Sequence, residues 1–175
     1  MARAAGRPPR PPATGDAPAA APLPVASANN PGQARKLGAL AEVLGYHIAQ
    51  AAVVTVGTFE RHVGRPLGLR KVEYSLLLLL LANGPQAPKR LGQALALSAP
   101  TLTLLLDKLQ ERGLILRERS QTDRRSQNIV LTAAGAQLAE QGAAAAAPME
   151  ADLSDRLSHA ERLMLIELLR KVSGC

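Results

Sequence analysis

Cysteine is almost missing: in 175 residues the one thiol is Cys175, at the last position. A single terminal cysteine forms no internal disulfide and completes no zinc-type cluster. It also lacks the structured, low-pKa setting that a thiol sensor needs. A reduced, cytoplasmic protein is expected. Histidine is scarce as well: His47, His62 and His159 form no chelating i, i+4 pair, so neither a metal nor another cofactor is expected. Tryptophan is absent and aromatics make up 2% against 47% apolar residues. The core must therefore come from Leu, Ala and Val packed through helices. The longest apolar run, "LLLLLLA" at 76–82, is far short of the ~20 residues that a membrane span requires. The opening "MARAAGRPPRPPATGD" has no apolar segment of the secretory kind. Glycine-rich nucleotide loops, G-x-S-x-G, H-E-x-x-H and paired carboxylates of a recognisable site are also missing, and the protein is not expected to be an enzyme.

What is present is positive charge, a formal +7, which suits a polyanion such as nucleic acid or an anionic membrane. Its largest share falls on residues 85–132, where Lys89, Arg90, Lys108, Arg112, Arg117, Arg119, Arg124 and Arg125 face four acids. Residues 133–175, by contrast, are net acidic. Most prolines lie in residues 1–32, mixed with Ala, Gly and Asn. Such a segment buries too little to offset its ordering entropy, and 1–32 is expected to be a disordered Pro/Ala-rich tail. The remainder, 33–175, reads as one domain.

An apolar stripe through Leu37, Leu40, Leu44, Ile48, Ala51 and Thr55 predicts a long first helix over 33–62, broken by "HVGRPLGL". "RKVEYSLLLLLLANGP" predicts a second helix, apolar on nearly all sides and central, ended by Gly84 and Pro85. Pro88 fits the first turn of a third helix. Ser98 is placed to cap a fourth, whose Leu102, Leu105, Leu106 and Leu109 form one stripe before Gly113 stops it. Two strand-like stretches follow, "LILRER" and "NIVLT", joined by a polar connection that carries Arg124 and Arg125. A fifth helix, interrupted or bent at Pro148, precedes a sixth that opens on the capping box "SHAE" at 158–161. Helix, tight turn, helix and hairpin make a winged helix-turn-helix, with the hairpin as the wing. The fold class is therefore mainly α.

Residues 85–135 carry "LGQALALSAPTLTLLLDKLQERGLI" and then "TDRRSQNIVLTAAG", with D-x-R at the wing tip and L-T-x-x-G after it. This stretch closely resembles the MarR family of bacterial transcription regulators, and the helix order extends the likeness to 33–172. The resemblance implies a homodimer in which helices from 33–62 and 133–175 interlock, while 70–132 of each copy binds double-stranded DNA at a pseudo-palindromic operator. Two recognition helices would then enter successive major grooves roughly 34–36 Å apart. Carried over by motif, Ser98 is the recognition-helix cap beside Pro100. Thr101 and Thr103 are small hydroxyl residues near bases or phosphates, and Lys108 is a later basic position. Asp123 is the acid that orients Arg125 at the wing tip, Arg124 stands between them, and Lys89 joins the DNA-facing cations.

One position departs from the family pattern. Where many relatives carry Arg or Lys after the second Thr, this chain has Leu104, which helical geometry turns outward. An exposed leucine there meets a thymine methyl or is tolerated surface, and both readings stand. The resemblance also implies a small phenolic or aromatic acid, bound between the dimer helices and the winged unit, that lowers DNA affinity. Tyr46, Phe59 and Tyr74, the only aromatics, with His47 and His62, suit an aromatic carboxylate. Ordinary packing in a core or interface is the alternative. The function expected is a ligand-released DNA-binding repressor; the alternative is a winged-helix protein-interaction module that binds no DNA.

Overall fold

A computed structural model describes residues 36–119 and 127–174. The chain divides into two compact units, 1–41 and 42–175. Of the first, Lys36 to Ala41 are described: Gly38 takes a φ of +54° and opens a 3-10 turn over Gly38–Glu42. In the second unit, α1 (Leu44–Phe59) follows an extended Val43. Leu37 and Leu40 therefore precede the helix expected to contain them.

At its other end that helix does not break at Gly64 and Pro66. It passes through a π-helical turn, Glu60–Gly64, into the short α2 (Arg65–Leu67), and stops at Gly68, whose φ is +61°. Pro66 explains the π turn. In an α-helix its ring would strike the His62 carbonyl, whereas the wider ladder before it, in which Arg65 N–H donates to Glu60 O, accommodates it.

The core centres on α3 (Lys71–Asn83) and α5 (Ala99–Glu111). Leu76, Leu77 and Leu80 of α3 are buried, Leu78 and Leu79 are half-buried, and Leu81 faces solvent. α3 is thus central on one side. From α5 come Leu102, Leu105, Leu106 and Leu109, all buried, as the i, i+3, i+4, i+7 spacing requires. Between them α4 (Pro88–Ala94) begins at its proline, contributes Leu91, and turns into α5 through Ala96 at a φ of +52°.

Gly113 (φ +67°) ends the turn after α5 and releases the chain into β1 (Ile115–Arg119), which pairs antiparallel with β2 (Gln127–Leu131). Ile115 and Ile129 are the inward residues of this hairpin, and both are fully buried. Gln86, just before α4, exchanges backbone bonds with Ile129 at 2.8 and 3.1 Å, which fixes the hairpin to the α4 side of the unit.

The L-T-x-x-G motif acquires a mechanical reason. Thr132 caps α6 (Ala133–Ala144): its Oγ1 accepts from Gly135 N–H at 2.9 Å and donates to Gly113 O at 2.7 Å. Gly135 lies so close to the Leu114 backbone that a Cβ there would sit 1.9 Å from the Leu114 carbonyl oxygen. Only glycine fits. α6 gives way to α7 (Ala146–Ser154) at Ala145. Pro148 explains the break: it sits in the first turn of α7 and cannot donate to Ala144. Last comes α8 (His159–Ser173), opened by Ser158 and Glu161 as a reciprocal capping box and ended by Gly174 in the left-handed region. Among the described residues no helix is long and apolar enough to cross a membrane.

Candidate nucleic-acid interface

Ser98 is extended and its Oγ accepts from Thr101 N–H at 3.4 Å, while the two hydroxyls lie 2.8 Å apart. Pro100 occupies the first turn, where no donor is lost. Thr103 Oγ1 donates back to Ala99 O at 3.0 Å. Leu104 faces solvent, 72% exposed. Four predicted contact residues, Ser98, Pro100, Thr101 and Thr103, thus share the open N-terminal half of α5 with Leu104. Lys89 stands near the start of α4 and borders a cleft of about 870 Å3 between α4, α5 and the base of the hairpin. Asp123, Arg124 and Arg125 lie outside the described residues.

The cations of this segment are not equivalent. Glu73, on the first turn of α3, is 1% exposed. Its Oε2 accepts from Arg70 N–H at 2.9 Å and from Arg112 Nη1 at 3.1 Å. Lys108 Nζ lies 3.0 Å from Oε1, as an ion pair without the alignment of a full hydrogen bond. Arg112 also donates to Gly68 O at 3.2 Å. Burial pushes the Glu73 carboxyl up, but the Arg70 amide, Lys108 and Arg112 together outweigh burial and hold it below the ordinary range. Likewise Arg117 of β1 reaches Asp107 of α5 at 2.6 Å. Lys108, Arg112 and Arg117 therefore hold α5 in place against α3 and the hairpin. Lys89, Arg90 and Arg119 have no carboxylate partner among the described residues.

Glu73 escapes a charge count because its partners lie 35 and 39 residues further along the chain. The signal for its burial was present nonetheless: it stands three and four residues before Leu76 and Leu77, on their stripe. A buried acid on a leucine stripe calls for a paired cation.

The aromatic and imidazole residues make three sets of contacts. Phe59 and Tyr74 pack edge to face at 5.5 Å, joining α1 to α3, and Tyr74 O–H donates to Gly142 O at 3.4 Å. Burial, with the nearby Glu150 charge, raises the Tyr74 phenol above its ordinary value. Tyr46 and His47 form their own edge contact at 5.4 Å near the start of α1. His62 is engaged by Asp152 of α7, Nε2 to Oδ2 at 3.0 Å, beside an Arg61 Nη2 contact to the same oxygen at 2.8 Å. Those hydrogen bonds, from His62 first and then Arg61, lower the Asp152 carboxyl.

The comparisons agree with this architecture. Residues 69–127, from two residues before α3 through the first residue of β2, match the model of the MarR family. Over 77% of the chain and 81% of the relative, the sequence is 30% identical to a putative transcriptional regulatory protein for the hcr operon of Thauera aromatica. Among solved structures, the repressor CouR bound to a 23-mer DNA duplex is 32% identical, covers 79% of this chain and 97% of its own, and superposes with a TM-score of 0.72. CouR bound to p-coumaroyl-CoA is 28% identical, with coverages of 79% and 97% and a TM-score of 0.70. The family match and these relatives, together with the winged helix-turn-helix, make the chain a transcription regulator. The chain belongs to the MarR family.

Proposed function

We propose that the protein is a dimeric, sequence-specific DNA-binding repressor that a small aromatic acid, free or as a thioester, releases from a pseudo-palindromic operator. The observation that carries the DNA reading is α5. Its inner face is four buried leucines, and its outer face from Ser98 to Leu104 stands open beside a two-stranded wing, in a chain 32% identical to a regulator solved on DNA. Phosphate contacts come from the cations that no described carboxylate holds, Lys89 first, and, as the family resemblance implies, from Arg124 and Arg125, with Asp123, in the sequence between β1 and β2. Such contacts supply most of the affinity.

The dimer reading rests on α8, which buries no residue within its own chain although it carries Leu163, Met164, Leu165, Ile166, Leu168, Leu169 and Val172. Fully burying a side chain of this size is worth about 1.5–3 kcal/mol. A helix so apolar and so uncovered calls for a partner, and a second copy supplies matching faces, with Leu44, Ile48, Val53 and Val54 of α1 also exposed. The ligand reading draws on the p-coumaroyl-CoA complex of the relative and on the scarce aromatics Tyr46, Phe59 and Tyr74 with His47 and His62. A regulator of this kind works in the cytoplasm, on the bacterial chromosome.

The test is a gel shift with the DNA upstream of its own and neighbouring genes at two salt concentrations. Binding that weakens steeply with salt is expected, and Arg125→Ala reduces the salt slope by about 1. A panel of aromatic acids and their thioesters then identifies the releasing compound. No shift at low salt would instead favour a protein-interaction module.

A further inference from the structure

The outer face of α5 from Ser98 to Leu104 carries no cation. Lys108 and Arg112 both turn to Glu73. Asp107, one of two acids on α5, is taken by Arg117. Thr103 spends its single proton on Ala99 O. Ser98 and Thr101 use one hydroxyl proton in bonding each other, which leaves one between the two. A guanine edge presents the acceptors O6 and N7 to the major groove and is best met by an arginine or lysine. Between Ser98 and Leu104 no residue is a cation, and the two cations further along, Lys108 and Arg112, are drawn toward Glu73.

What the face does offer is Leu104, at 72% the most exposed of the large apolar side chains described. Single exposed leucines are ordinary on protein surfaces. This one stands midway between the capping serine and the cations that turn back to Glu73, opposite the buried leucine stripe. The one apolar group on a base edge in the major groove is the C5 methyl of thymine.

We propose that Leu104 is a specificity-determining residue that packs on a thymine methyl, so that the operator half-site carries an A·T pair where the middle of α5 meets the groove. This rests on the DNA-binding reading above and deepens it.

The experiment uses the full chain and a duplex that the wild-type protein selects from a randomised pool. Each thymine is replaced in turn by uracil, which removes the methyl and leaves base pairing intact. At one or two positions per half-site, uracil is expected to weaken wild-type binding about three- to fivefold, the worth of a methyl-sized contact. The same replacements should leave Leu104→Ala unaffected, while Leu104→Met keeps part of the penalty. Leu104 is exposed, so unfolding midpoints of both variants should match the wild type. Equal uracil penalties in wild type and Leu104→Ala, or none in the wild type, overturn the inference while DNA binding stands. Failure to select or bind any duplex overturns the DNA-binding reading instead.

Discussion

Replacing Gly135 by alanine probes the junction that ties the wing to the rest of the unit. The new Cβ would lie 1.9 Å from Leu114 O, whereas carbon and carbonyl oxygen normally approach to about 3.3–3.6 Å. The backbones must separate by about 1.4 Å or more. That carbonyl accepts from Thr132 N–H at 3.1 Å, and Thr132 in turn caps α6 and bonds Gly113. The neighbouring Ile115 is fully buried, so the core cannot yield on that side. Overpacking costs about 1–3 kcal/mol, and loss of the threonine cap adds about 1 kcal/mol. At 2–4 °C per kcal/mol for a chain of this size, the melting temperature should fall by roughly 4–16 °C. Calorimetry at one fixed protein concentration measures it, since dimerisation makes the midpoint concentration-dependent. Thr132→Ala, which removes the cap without the clash, should fall by only about 2–4 °C. A Gly135→Ala midpoint equal to wild type would refute the close approach.

Glu73→Gln should cost about 1–3 kcal/mol at neutral pH, discounted because its cations are partly exposed. The folded-state pKa of Glu73 lies below the ordinary 4.5, so its stabilisation is present above that value and is lost as pH falls through the depressed one. Urea titrations of the two proteins should therefore converge below about pH 4.5 and differ above it; parallel curves would contradict the pairing. Met164→Glu with Leu168→Glu, on one exposed stripe of α8, should halve the mass in light scattering while circular dichroism keeps its helical signal. Loss of helix instead would mean that α8 is held by its own chain. Leu109→Ala, at a fully buried position, should destabilise by about 2–5 kcal/mol in chemical denaturation; a change below about 1 kcal/mol would place α5 outside the core.

Local physics was legible in the sequence wherever one element decided the outcome. The leucine spacing of α5, the caps at Ser98 and Ser158, and the stops at Gly84 and Gly113 all appear where side-chain period and backbone freedom put them. Three features depended on more than neighbours. Pro66 reads as a helix breaker, yet a π turn carries the helix through it, because changing the ladder removes the clash that the rule assumes. Lys108 and Arg112 read as cations for phosphate, but Glu73, far off in sequence, competes for them. Such pairing is visible only once α3 and α5 are packed. Tyr46, His47, Phe59, His62 and Tyr74 share a short list of scarce residue types, which says nothing of distance. In space Phe59 meets Tyr74, Tyr46 meets His47, and His62 turns to Asp152. By contrast Gly135 was legible as a motif position, and the structure supplied its cause.

The most direct measurement is the mass of the protein–DNA complex by analytical ultracentrifugation, using a duplex from upstream of its own gene with and without salt. Two chains per duplex at low salt, dissociating as salt rises, is the predicted result. One chain per duplex, or free duplex at every salt concentration, would contradict a paired winged-helix regulator.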